Sequence, residues 1–397
     1  MTDCAMGSRD APLPDTVDVA IVGGGIMGLC TAYHLARLSH LRVAVIERGY
    51  LVSGASGRNG GGVRMQWADE GNVRLMMESL EICRGLTQEL GINLWVRKGG
   101  YLFLARGEED AARLERNAAL HRRLGAPTRL LDPGQARDRV PHLDTSGVTL
   151  ASFNPEDSVV FPWPFCWGYA ARAVQMGVTI RTHTAVVDAA PVSGGLRLDL
   201  STGEHIEADT VVNATGAWSG ALNAKLGVHL PNRPHRHEIL STAPLKPLFD
   251  PLVVDLSSGL YVSQSGRGEL VMGVTMGSDD TREDQVRMDS SPHFLRRVSQ
   301  AFTRLFPSLG AIDVLRQWAG PYDFSPDGDP IVGPSPDLAR LVQICGFTGH
   351  GFMMAPAVGR IVARWLALGE AHPMLERWDP GRFARGDVRR REDMIIG

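Results

Sequence analysis

The stretch Asp18-Val19-Ala20-Ile21-Val22-Gly23-Gly24-Gly25-Ile26-Met27-Gly28 decides how this chain reads. Its first five residues form the apolar, β-branched run of a buried strand. Beyond the glycines, Ile26, Leu29, Tyr33 and Ala36 recur at helical spacing. Gly23, Gly25 and Gly28 therefore make a G-x-G-x-x-G turn between a strand and a helix. Gly23 permits the tight turn, Gly25 lets the backbone approach a pyrophosphate, and Gly28 lets the helix pack closely on the strand. The helix N-terminus offers N–H groups and a positive dipole end to phosphate.

One such motif is weak evidence, since glycines punctuate many turns. Here a second apolar strand, Val43-Ala44-Val45-Ile46, ends in Glu47, nineteen residues past Gly28. An acid there suits a ribose 2′-hydroxyl and would repel a 2′-phosphate. The pairing predicts dinucleotide binding; the alternative is a purely structural turn.

Composition narrows the classes. At 397 residues the chain exceeds what one core usually supports, so two joined domains are expected. Its 44% hydrophobic and 21% charged content is that of a globular enzyme. A net charge of −3 gives no footprint for nucleic acid. No apolar run approaches a membrane span, and the polar first fifteen residues lack the apolar core of a secretory signal. The five cysteines (4, 30, 83, 166 and 345) are odd in number, with no C-x-x-C. No metal motif follows from them, and they fit a reducing compartment, so the expected location is cytoplasmic.

Further along, Ser53-Gly54-Ala55-Ser56-Gly57-Arg58-Asn59-Gly60-Gly61-Gly62-Val63-Arg64 carries five glycines. It reads either as a flexible linker or as backbone pressed against a flat ligand, and its arginines and asparagine favour the ligand. A long helix follows, with Val73, Met76, Leu80, Cys83 and Leu90 on one face. Gly99 to Leu104 reads as a strand, and a helix runs from the acidic Glu108-Glu109-Asp110 to Arg122 and Arg123, stopping at Gly125. Pro162 to Met176 reads as a helix. Strands are expected at 178–180, 184–187 and 196–200, then near 236–242, 260–264 and 269–275. Val211 to Trp218 is a strand entering a glycine turn, and Leu341 to Cys345 is a buried strand before Gly346-Phe347-Thr348-Gly349-His350-Gly351-Phe352 and a last helix. The cluster Arg233-Pro234-His235-Arg236-His237-Glu238 edges the site, contacts a partner, or is a solvated strand entry.

Taken in order, these stations resemble the D-amino-acid oxidase superfamily of flavoproteins. The likeness is to glycine oxidase and sarcosine oxidase, and most of all to the β subunit of heterotetrameric sarcosine oxidase and related amino-acid dehydrogenases. It covers about residues 17 to 370. It rests on Gly23–Gly28 with Glu47, on Ser56-Gly57-Arg58-Asn59, and on Asn213-Ala214-Thr215-Gly216-Ala217-Trp218. It rests more specifically on Arg316 to Gly333 and on Gly346 to Phe352. The resemblance implies an α/β Rossmann-like FAD-binding domain interrupted by a substrate domain with an antiparallel β-sheet and helices. The implied layout is a loose, flexible arm at 1–15, an FAD domain at 16–84, 152–225 and 326–375, a substrate domain at 85–151 and 226–325, and a tail at 376–397.

By the same resemblance FAD, bound without a covalent link, contacts Gly23, Gly25, Ile26, Met27, Gly28, Glu47 and Arg48. It also contacts Ser56, Gly57, Arg58, Asn59, Gly61 and Gly62, then Val186, and then Ala214, Thr215, Gly216 and Trp218. At its flavin end it meets Gly346, Gly349, His350, Gly351, Phe352 and Met353. The implied chemistry is oxidation of a carbon–nitrogen bond in a small amino acid or secondary amine, with a hydride equivalent passing to flavin N5 and the imine hydrolysing. Arg64 matches a carboxylate-binding arginine, Tyr261 and Tyr322 match active-site tyrosines, and His350 lies beside the flavin. The plain alternatives are a surface arginine, core tyrosines and a structural histidine.

Four departures matter. A second carboxylate-binding lysine of monomeric sarcosine oxidase is Met353 here. Its oxygen-activating lysine is Val271, which tilts the expectation from oxidase toward dehydrogenase. Its flavin-tethering cysteine is Gly320. The β subunit's histidine for covalent FMN falls near Pro162. The acceptor is O2 or another oxidant. The alternative reading is a β-type catalytic subunit that passes electrons to a partner chain.

Overall fold

The computed structural model describes residues 8, 11–276, 286–389 and 391–395. The glycine turn lies at the heart of one eight-stranded sheet. Its main path runs Ile331–Ser335, Leu338–Cys345, His205–Asn213, Thr16–Val22, Val43–Ile46, Thr179–Arg181. The last five strands of that path are mutually parallel. Val186–Val192 and Gly195–Leu200 extend it as an antiparallel hairpin on His205–Asn213. The central strands are continuously apolar because both faces are covered, as in other parallel sheets.

Helices Ile26–Leu38, Glu70–Leu90, Pro162–Gln175 and Gly351–Leu368 share the core on one face. The first and last cross so closely that a Cβ at Gly359 would press on Cys30. Helix Glu70–Leu90 begins where Asp69 accepts the Asn72 N–H and ends at Gly91 with φ 66°. It runs through the domain boundary expected at residue 84.

Gly351–Leu368 has a mean hydropathy of 1.2, long and apolar enough to cross a membrane. This corrects the expectation that no run approaches that length. In this fold the segment is a core helix, 61% buried against protein.

The second sheet, also eight-stranded, runs Val314–Phe324, Arg233–Thr242, Leu270–Val274, Leu260–Gln264, Leu252–Asp255, Tyr101–Ala105, Leu150–Asn154, Arg129–Leu131. It is antiparallel except for Leu252–Asp255 beside Tyr101–Ala105. That parallel pair joins two segments about 150 residues apart, which local patterning does not reveal. Leu150–Asn154 belongs to this sheet and straddles the boundary expected at 152.

Helix Pro292–Leu305 packs Phe294, Val298, Phe302 and Leu305 under the second sheet. Its Ser291 cap, Pro292 at the first turn and 3.6-residue apolar spacing are present in the sequence, although no element is assigned to this stretch above. The arm expected to be loose is tied down in part: Ser8 pairs with Arg181, and Arg181 donates to the Ala11 carbonyl. The hairpin strand expected at 184–187 begins at Val186 and runs on to Val192.

Candidate active site

A groove runs along the C-terminal ends of the parallel strands, where open α/β sheets bind ligands. The glycine turn forms its floor. Gly23 has φ 115°, and a Cβ there would overlap the Ala214 carbonyl oxygen. A Cβ at Gly28 would overlap the Gly23 carbonyl, so Gly28 serves close packing and does not line the groove. Gly25 is the extended N-cap of helix Ile26–Leu38 and supplies no side-chain cap, which leaves the helix end open to an anion. Ser56 reaches across to accept the Ile26 N–H at 3.0 Å.

At one end of the groove, Glu47 accepts the Gly24 N–H at 2.7 Å and the Gly49 N–H at 2.8 Å. Arg48 stacks 3.9 Å above the Trp218 ring. Met27, Asn59, Val186, Ala214, Thr215 and Gly216 continue the lining. At the other end stand Tyr322, Gly349, Gly351 and Phe352. This turn is held from below by buried Asp323. Its carboxylate accepts the Gly346 N–H, its carbonyl accepts the Thr348 N–H at 2.8 Å, and Asn232 donates to it at 2.7 Å. Gly346 itself has φ 74° and lies against Ile331, off the groove.

A cavity of about 90 Å³ adjoins that end. Arg64, Tyr101, Phe103, Leu252, Val254, Tyr261, Tyr322, His350 and Met353 line it, with the backbone of Asn59 to Gly62. A Cβ at Gly62 would overlap the Tyr101 hydroxyl, so the glycine is required by close approach. Gly61, at φ 75°, meets the Val160 carbonyl in the same way. Asn59 braces the loop by donating to Ser56 O at 2.6 Å and accepting the Gly61 N–H at 2.7 Å.

Arg64 is 3% exposed, and its guanidinium carbon lies 4.2 Å above the Trp67 ring. It donates to the carbonyls of Gln66 and Met394. Among the described residues no carboxylate lies within ion-pair distance of it, and burial pulls its pKa down. A buried cation without a partner anion is costly, and a bound anion relieves that cost.

His350 donates from Nδ1 to the Thr348 carbonyl at 2.9 Å, which leaves Nε2 to accept from Arg64 Nη2 at 3.3 Å. Burial, then the Arg64 cation, pushes its pKa down to about 3, so the ring is neutral. Tyr261 bonds His237 Nε2 at 3.0 Å, and the His237 ring stacks on Tyr322 at 4.6 Å. Burial pushes the His237 pKa down to about 3 and raises both tyrosines above their ordinary range. The two hydroxyls therefore stay protonated.

The structure thus brings Arg64, Tyr261, Tyr322 and His350 around one cavity. Gly57 and Arg58 instead face a separate cavity of about 1140 Å³, with Trp163, Val271 and Trp318. Several supporting residues escaped the sequence reading. Asp157, fully buried, accepts the Met65 N–H at 2.7 Å and Gln66 Nε2 at 3.0 Å, and burial raises its pKa to about 7. His237 was noticed only as part of a polar cluster. No local signal marks Asp157, because its partners lie 91 and 92 residues away.

Comparison with known proteins places this geometry. The FAD dependent oxidoreductase (DAO) family matches residues 18–365. The chain belongs to the DAO family of FAD-dependent oxidoreductases. The crystal structure of L-proline dehydrogenase from P. horikoshii is similar over 95% of this chain and 100% of its own, with 34% identity and a TM-score of 0.90. FAD-dependent oxidoreductase domain-containing protein 1 of Bos taurus is 32% identical over 94% of this chain and 85% of its own length. Sarcosine oxidase subunit beta of Rhodobacter capsulatus is 28% identical over 93% and 89%.

The residues fit the DAO family's FAD. Gly25 brings no side chain to the helix N-terminus, Ser56 takes the Ile26 N–H, and the groove runs from that turn to Glu47 and Arg48 at one end and to Tyr322, Gly349 and Gly351 at the other. Glu47 and Arg48 would hold the adenosine end. The Gly349–Gly351 turn and Tyr322 would hold the flavin end, next to the Arg64 cavity.

Proposed function

We propose that this DAO enzyme oxidises the carbon–nitrogen bond of a small amino acid or secondary amine whose carboxylate pairs with Arg64. The carrying observation is the buried guanidinium, unpaired with any described carboxylate, in the wall of the cavity. Bound FAD would accept the hydride equivalent at N5 from the substrate's C–N carbon. The chain supplies placement and charge. Arg64 fixes the acid end, in the geometry that guanidinium and carboxylate favour. Tyr101, Phe103, Leu252, Val254 and Met353 give an apolar wall for a small aliphatic or cyclic side chain. Neutral His350 and the protonated tyrosines add hydrogen bonds without a competing charge, and exclusion of water strengthens each of them. Among the described residues Arg64 is the one charged residue in this lining, so a dicarboxylic substrate is disfavoured.

The test is anaerobic mixing of the FAD-loaded protein with sarcosine, glycine, D- and L-proline and other D-amino acids. Bleaching of the flavin band by a carboxylate-bearing amine, lost in Arg64→Ala, is expected. Bleaching only by amines without a carboxylate would overturn the assignment.

One observation favours a second reading, a β-type subunit handing electrons to a partner chain. The large cavity shares Asn59 and Gly60 with the small one. It is rimmed by exposed Trp95 and Phe161 and by Tyr50, which stacks on Trp163 at 6.2 Å. Exposed aromatic surface of this kind marks interfaces. Full turnover of the purified chain alone with a soluble dye would count against it.

A further inference from the structure

Residues 391–395 lie against the substrate cavity, although Arg64 and this segment are over 300 residues apart. Arg64 Nη2 donates to the Met394 main-chain carbonyl. The Met394 side chain is 1% exposed and packs with Tyr101, Phe103, Leu252 and Val254, four residues that also wall the cavity. Glu392 anchors the segment. Its carboxylate accepts the N–H groups of Ala68 and Asp69 at 2.9 and 3.1 Å and the side-chain amide of Asn72 at 3.0 Å. That places a negative charge at the start of helix Glu70–Leu90, where the dipole favours it. Arg113 adds a bond to the Asp393 carbonyl at 3.1 Å.

The stereochemistry of the guanidinium gives this contact a consequence. A forked carboxylate bond uses either both Nη atoms or Nε with Nη2. Both forks need an Nη2 hydrogen. Here the two Nη2 hydrogens are directed to Met394 O and His350 Nε2. His350 is fixed from behind by Thr348, within the turn that closes the groove. The Met394 carbonyl is a neutral acceptor on a five-residue segment held by Glu392, by Arg113 and by the buried Met394 side chain, and a carboxylate competes for the same donor with a stronger, charge-assisted bond.

We propose that residues 391–395 are a carboxylate-displaced latch. The Met394 carbonyl holds Arg64 in place and satisfies it when the cavity lacks an anion, and a substrate carboxylate takes over that donor as the segment shifts away. Specificity then includes this exchange: a neutral amine cannot drive it. The proposal rests on Arg64 as the carboxylate site.

The test uses FAD-loaded full-length protein, furan-2-carboxylate as a non-oxidisable probe, and furan-2-carboxamide as the neutral control. Hydrogen–deuterium exchange of the 391–395 amides should rise at least three-fold with the carboxylate and stay unchanged with the amide. A variant shortened to end at Asp387, and Glu392→Ala in the full chain, should bind the carboxylate about ten-fold tighter by flavin absorbance. Arg64-dependent binding with no change in exchange, and with equal affinity in Glu392→Ala, overturns the latch and leaves the proposed reaction standing. No Arg64-dependent binding in any form overturns both.

Discussion

Arg64 Nη2 lies 3.3 Å from Nε2 of His350, a residue 286 positions further along the chain. Because the Thr348 carbonyl can only accept, the proton of the neutral ring sits on Nδ1, and Nε2 must present its lone pair to the arginine. A cation and an imidazole side by side are thereby compatible. The pair joins the glycine-rich loop after the second strand to the turn before helix Gly351–Leu368, and so closes the substrate cavity.

Arg64→Lys keeps the charge and loses the fork. Losing one charge-assisted bond costs about 1.5–3 kcal/mol, so KM for an amino-acid substrate should rise roughly 10- to 100-fold. The turnover number should change much less. Steady-state kinetics would show this, and an unchanged KM would remove Arg64 from the carboxylate site.

Gly25→Val puts a branched side chain at the mouth of the glycine turn, where its Cβ would stand 3.2 Å from Ser56 Oγ. Gly25 is not at positive φ, so the backbone tolerates the change. The variant should fold with a normal circular dichroism spectrum yet retain little FAD after gel filtration. Stoichiometric FAD would mean that the cofactor's phosphates do not approach this turn.

Acid should weaken the fold in a defined window. His34, His237 and His350 each have pKa values held down to about 3, so each contributes stability that is complete above about 6.5 and lost as pH falls toward 3. Asp157 works in the opposite sense. Raised to about 7, its contribution is complete below about 4 and lost as pH rises through 7. Three imidazoles outweigh one carboxyl, and the net loss from pH 7 to pH 5 is on the order of a few kcal/mol. Urea unfolding at the two pH values measures it, and His350→Gln should flatten the decline. Equal stability at both pH values would mean that the imidazoles are solvated.

Asp157→Asn leaves the Met65 N–H with an acceptor but turns an amide donor toward Gln66 Nε2, also a donor. The expected loss is about 1–3 kcal/mol, read as a lower urea midpoint. An unchanged midpoint would show that Gln66 flips freely, although Ser152 and the Tyr101 carbonyl hold its two ends.

Val271 stands in the lining of the large cavity, where monomeric sarcosine oxidase has its oxygen-activating lysine by resemblance. Val271→Lys should speed reoxidation of substrate-reduced protein by air at least ten-fold in stopped flow. No acceleration would place oxygen entry elsewhere.

The amino-acid sequence by itself determined the dinucleotide turn, the acid at the end of the second strand, the DAO resemblance and the order of the flavin stations. Those signals are local: a glycine needed at φ 115°, an apolar strand of four residues, a helix with its spacing intact. Arg64, Tyr261, Tyr322 and His350 were named from motif likeness, and the tertiary structure alone placed them around one cavity. It alone also decided the parallel pairing of Leu252–Asp255 with Tyr101–Ala105, the stacking of His237 on Tyr322, the burial of Asp157 beneath the loop and the reach of Met394 to Arg64. Each of these joins residues far apart in the chain. Their energies come from burial, which withdraws water and makes an unpartnered charge or hydrogen-bond donor expensive, and burial belongs to the folded whole and not to any stretch of sequence.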